Sequence, residues 1–167
     1  MSAQKTYSYK TGYGVAGGLV DLTEHVIDTR NNESAGLKFG MGVVEGTTKG
    51  AQVKLPVKAD TKAKFEGVVV NSHTHEMDRD GEVVLAKGEA VGVLKEGRVF
   101  VRLAASVTPA YGEAVYLITD GDNAGLFTNV EATGTTLKLK GYFLDGATGG
   151  VAPVQLTVDK VNDPVEK

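Results

Sequence analysis

From Leu37 onward the chain breaks into short runs of Val, Leu, Thr and Phe separated by Gly, Asp and Asn, at the spacing of strands in sandwiches and barrels. No stretch in this region keeps apolar residues at i, i+3, i+4 and i+7 for three turns, so any helix there is brief. Glycine reinforces the reading: the chain holds 22, where average usage of ~7% would give about 12. Frequent turns follow. The pattern predicts an all-β protein of about ten strands, a compact β-barrel or jelly-roll-like domain with an extended N-terminal arm.

In EAVGVLKEGRVFVRLA, Val91, Val93, Val99, Val101 and Leu103 hold period 2 around Glu96-Gly97, which predicts a hairpin turning there, with Arg98 and Arg102 on its other face. EAVYLITDGDNAGLFTNV predicts two short strands across a Gly and Asp loop, and LKLKGYFLDG with APVQLTVD predicts a closing pair. The apolar faces around Val68 to Val70 and Val99 to Val101 are expected to fill the core.

The ends differ in character. Residues 1–35 read as an arm, with Gly18 to Ile27 as its best helical stretch; residues 36–159 form the β domain, and the polar tail 160–167 is expected to fray. YSYKTGYGVAGG buries little of itself, but it suits lying along a neighbour, where each tyrosine offers large contact area and a hydroxyl for few rotamers. It is therefore an expected interaction surface.

At 167 residues the chain is long enough for one real core, since a domain of ~150 residues buries roughly 70% of its unfolded surface. Net charge is −3 and the 18 Lys and Arg are scattered, so no basic stripe awaits nucleic acid or anionic lipid. There is no cysteine, hence no disulfide framework and no thiolate chemistry. The N-terminus lacks an apolar leader and no run approaches the ~18 apolar residues of a membrane span, so the protein is expected to stay in the compartment where it is made. Trp is absent and aromatics are 7%, lean for a sugar-binding face or a base-stacking platform.

Three patterns match chemical motifs in letters but not in context. Gly12 to Gly17 spells GxGxxG, yet it follows polar YSYK near the terminus rather than a buried strand of a βαβ unit. Asp120, Asp122, Gly125 and Glu131 occupy calcium-loop positions, but position 5 is Ala124 and the flanks read as strands instead of helices. His73 and His75 alternate as zinc-binding strands require, with Glu76 and Asp78 nearby, but His25 is the only other histidine. Glu66, Glu76, Asp78 and Glu82 read as surface charges, and neither a GxSxG elbow nor a P-loop occurs. No catalytic residue, cofactor site or metal site is assigned, and a non-enzymatic binding protein is expected.

The order FGMGVVEG, KFEGVVVNSHTH, KGEAVGVLKEGRVFVRL, SVTPAYGEAVYL and VAPVQLTVD resembles the cement or decoration proteins of tailed bacteriophages. Gly14, Ala16, Gly17 and Asp21 in YKTGYGVAGGLVDLTEHVIDT are similar to that family's arm pattern G-x-A-G-x-x-x-D. The resemblance spans nearly the whole chain. It implies a structural cement protein on the outer surface of the virion capsid, made in the host bacterial cytoplasm. Its implied partners are the major capsid protein, bridged between neighbouring subunits, and further copies of itself in a small oligomer; trimer and dimer both suit a shell whose local axes their symmetry can share, and the trimer is favoured. Tyr7, Tyr9, Tyr13, Gly14, Gly17 and Asp21 are the residues expected to contact the capsid. The alternative is a phage tail or receptor-recognition binding module.

Overall fold

A computed structural model of the chain describes residues 14–58, 65–72, 83 and 85–157. Nine strands form one sheet among the described residues: β1 (Val26–Asn32), β2 (Gly42–Glu45), β3 (Gln52–Lys54), β4 (Phe65–Val69), β5 (Ala90–Arg102), β6 (Ala114–Ile118), β7 (Phe127–Thr128), β8 (Thr136–Phe143) and β9 (Val151–Thr157). The order β1-β3-β2-β4-β5 closes on itself, because β1 also pairs antiparallel with β5. The protein is all-β, a five-stranded barrel extended by further strands. β9, β8, β6 and β7 continue outward from β5, and a bridge between Leu103 and Phe127 brings the last strand back to the end of β5.

Two apolar clusters result. Val43, Val53, Val69, Val91 and Val93 come from four barrel strands and fill the barrel, with Leu37, Phe39, Met41 and Leu85 closing it. Val44, Val68, Leu94, Val99 and Val101 belong to the second cluster, where Val115, Leu117, Phe127, Phe143, Val154 and Leu156 meet the outer side of the barrel. β4 is consequently buried along its whole length, Val69 facing one core and Val68 the other. Its Val68-Val69 end, apolar toward both cores, therefore shows no alternation.

The expected closing pair is present as β8 and β9, with Tyr142 opposite Gln155, and the expected short pair as β6 and β7. The hairpin expected at Glu96-Gly97 is not. Residues 90–102 form one 13-residue strand, whose first half pairs with β1 and whose second half pairs with β9. Gly97 does adopt positive φ, at 129°, but as a kink in a continuing strand, where an added Cβ would sit 2.7 Å from the His25 Cβ. The helix expected over Gly18 to Ile27 is also absent: residues 14–20 run alongside β5, and β1 begins at Val26. Tertiary hydrogen bonds to β5 override a short apolar spacing. Residues 26–32, within the stretch read as an arm, are thus a barrel strand.

Bulges let single strands serve both cores. Opposite β1, Lys95 is the extra residue of β5, lying between Leu94 and Glu96; opposite β2, Glu66 is the extra residue of β4. Each bulge flips the inside-outside parity downstream, so Leu94 and Val99 face the same core although one position is even and the other odd.

Candidate interaction surface

Gly14 to Val20 is fastened to the edge of β5 opposite β9, where Leu19 bridges Val99 while Val99 pairs with Val154 on its other side. The Gly17 amide donates to the Phe100 carbonyl at 2.7 Å, the Phe100 amide to the Gly18 carbonyl at 2.9 Å, and the Val20 amide to the Arg98 carbonyl at 3.1 Å. On its other side, the Gly17 carbonyl accepts from the Asn71 amide at 2.8 Å. Glycine is required twice here for packing. A Cβ at Gly14 would overlap the Phe100 ring, and one at Gly17, whose φ is 78°, would press at 2.8 Å on both the Asn71 nitrogen and the Val69 carbonyl oxygen.

Asp21 ends the fastened segment. Its Oδ1 accepts from the Thr23 amide and hydroxyl, and its Oδ2 from the Arg98 guanidinium at 2.8 Å. These hydrogen bonds, Thr23 first and then Arg98, hold the Asp21 carboxyl below its ordinary range. Arg98 is fixed in turn by its Nε donating to Gln155 of β9 at 2.8 Å. Gly14, Gly17 and Asp21 are therefore brought together by anchoring the segment to the domain, while Tyr7, Tyr9 and Tyr13 lie outside the described residues. The segment's outward side shows what motif reading missed: Val15 is 63% and Leu22 94% exposed. Their signal in the sequence is only that they are the apolar residues left over once the glycines are packed.

A second exposed feature lies at the far end of the second core. Tyr111, 73% exposed, meets Tyr142 edge to face, with ring centroids 6.2 Å apart. Glu113 fixes the turn that carries Tyr111, accepting from the Ala110 amide at 2.9 Å and the Asn129 side chain at 2.8 Å. Those two hydrogen bonds hold its carboxyl below the ordinary range.

The remaining motif residues do not assemble a chemical centre. Asp120 pairs with Lys58 at 3.2 Å, Asp122 lies in a single 3-10 turn (Gly121–Asn123), and Glu131 accepts from the Tyr116 hydroxyl. Gly14 to Gly17 leads into no helix. Among the described residues no three His, Asp or Glu side chains converge as metal ligands, and His73, His75, Glu76, Asp78 and Glu82 lie outside them.

Glu66 departs from the expectation of a surface charge: it is 4% exposed. Inside the barrel mouth Lys95 Nζ lies 3.2 Å from Glu66 and 3.0 Å from Asp28, and Asp28 also takes the Arg30 guanidinium at 2.9 Å. Lys95 and then Arg30 hold the Asp28 carboxyl below its ordinary value. Two cations and two carboxylates balance, as burial requires.

The molecule thus defines a class: an all-β structural protein whose polar side chains brace backbone and whose exposed apolar residues sit on rigid supports. Its sequence matches the profile of the phage family described as Structural cement protein (E217 gp24/Pam3 gp6) over residues 3–157. The chain belongs to that family, and its role is a structural one in stabilising the phage capsid. A chain in the solved structure "The capsid of Myoviridae Phage XM1" shares its fold, with a TM-score of 0.75 at 18% identity, covering 94% of this chain and 98% of the other. A search among curated proteins finds no match.

Proposed function

We propose that the protein sits on the outer surface of a tailed-phage capsid and bridges neighbouring major capsid protein subunits, with the N-terminal stretch as its shell contact. The observation that carries this reading is exposed Val15 on a segment pinned by hydrogen bonds to β5, with exposed Leu22 in the Asp21–Thr23 turn that follows it. A pre-ordered apolar contact loses little entropy on binding. Tyr7, Tyr9 and Tyr13 continue the same stretch and supply interface-favoured side chains.

A shell repeats one surface many times, so a protein touching two subunits makes its second contact intramolecularly and gains avidity from modest contacts. Self-association, as a trimer before a dimer, would align its symmetry with a local axis of the shell. In this reading the protein is made in the host cytoplasm, performs no catalysis, and has neither nucleic acid nor membrane as a partner.

Deleting residues 1–13 tests the assignment while leaving the β5 hydrogen bonds of Gly17 to Val20 in place. The truncated protein should keep its β-sheet circular dichroism and melting temperature but no longer bind expanded shells. Full shell affinity after truncation would remove the tyrosine stretch from the interface. Deleting residues 1–20 should additionally lower the melting temperature, because it uncovers Phe100 and the edge of β5.

A further inference from the structure

A cleft of about 410 Å³ opens where the two cores meet, over the end of β5. Its apolar lining comes from Met41, Leu103 and Leu126, and its charged lining from Lys38, Arg102 and Asp122. Arg102 is half-buried, and its Nε donates to the Phe39 carbonyl at 2.8 Å. That bond fixes the guanidinium plane, and among the described residues it is the guanidinium's one hydrogen bond, leaving the two terminal nitrogens for a ligand. Arg102 and Asp122 line the same cleft.

We infer that this cleft receives a single carboxylate side chain from the capsid subunit on which the protein sits. Three observations support it. The terminal nitrogens of a fixed guanidinium match the two oxygens of a carboxylate as a planar fork. The formal charges of Lys38, Arg102 and Asp122 leave the lining with one net positive charge, which a single monoanion neutralises and a dianion such as phosphate would exceed. The occupant is a shell residue because the cleft is continuous with the segment proposed to face the shell: the loop bearing Lys38 and Met41 packs Gly40 so closely on Ala16 and Gly17 that a Cβ at Gly40 would lie 2.8 Å from the Ala16 Cβ. One bound surface would then cover both. This inference rests on the proposed shell-binding role.

The test has two arms, both on the full chain. In the first, ¹⁵N-labelled protein is titrated with N-acetyl-glutamate methylamide, and with the glutamine analogue as a neutral control. Saturable shifts are expected at the Arg102 side-chain Nε–H and the Leu103 and Gly150 amides for the glutamate compound alone. Asp122→Asn should tighten binding about threefold by removing a like charge. No saturable shift, or equal shifts with the glutamine analogue, would overturn the site.

In the second arm, affinity for expanded shells is compared for wild type, Arg102→Met, Arg102→Lys and Asp122→Asn. Arg102→Met is expected to weaken binding at least about tenfold, the loss of a charge-assisted bidentate contact. Arg102→Lys should weaken it less, and Asp122→Asn should strengthen it. A folded Arg102→Met protein with wild-type affinity would overturn the inference. If Arg102→Met does not fold, unchanged or weaker binding by Asp122→Asn overturns it instead. Failure of the wild type to bind shells would instead sink the shell-binding role, with the carboxylate site then judged on the titration alone.

Discussion

The two cores share β2, β4 and β5 but hold together by different physics. The second core is apolar throughout and contains the largest side chains, Phe65, Phe127 and Phe143 among them. The barrel is filled mainly by valines from β2 to β5, while β1 turns polar residues inward. Asp28 stands opposite Val93 and Arg30 opposite Val91, so they share a face with the valines. Asn32, 1% exposed, donates to the carbonyls of Ser34, Leu85 and Ala86. A small barrel cannot be filled by one residue type along its taper, and here one wall exchanges bulk for hydrogen bonds and ion pairs.

That contrast predicts unequal sensitivities. Phe127→Ala or Phe143→Ala should cost about 3–5 kcal/mol through lost transfer energy and a residual cavity, and denaturant unfolding of each variant measures it. A cost under ~1 kcal/mol would mean that the second core is not specifically packed. Lys95→Met comes next. Removing one partner of a buried pair costs about 3–5 kcal/mol, discounted here to about 2 because part of Lys95 and Asp28 reaches solvent. Combining it with Glu66→Gln should recover most of the loss, and a double-mutant cycle reads that recovery as the coupling of the two bulge residues.

A smaller effect distinguishes the cores by pH. Asp28 has its carboxyl depressed below its ordinary value of 3.8 by Lys95 and Arg30. Its stabilising contribution is therefore complete above pH 3.8 and is lost as pH falls through the lower folded value. Melting temperature should decline across that acid range more steeply in wild type than in Lys95→Met, and parallel declines would remove the ion cluster from the account. The smallest expected change is Arg98→Ala, which removes one partner of Asp21 in a solvent-exposed pair and should leave the global unfolding transition nearly unmoved. Hydrogen exchange should then quicken at the Gly17 and Val20 amides while the barrel amides stay protected.

Strand chemistry was legible in the sequence where a strand has one wet face, as in Thr136 to Phe143, where buried Leu139 and Phe143 alternate with exposed Lys138, Lys140 and Tyr142. It failed at β5. Glu96-Gly97 has the letters of a turn, and only the partners on both sides show that the strand continues past a bulge. The same two bulges hid Glu66, whose partner Lys95 is far along the chain and reaches it through register. At the surface, the sequence picked out Gly14, Gly17 and Asp21, which the structure places in anchoring contacts. Val15, Leu22 and the Arg102 cleft became visible only once the packed residues were known.

The central claim is that this family member binds the outside of the shell through its N-terminal stretch. A cryo-electron-microscopy reconstruction of the intact particle at side-chain resolution tests it most directly. The account predicts the β domain outside the shell, touching at least two capsid subunits, with residues 1–22 at the contact and an acidic side chain against Arg102. Density on a single subunit with Val15 and Leu22 facing solvent, or no density on the outer surface, would contradict it.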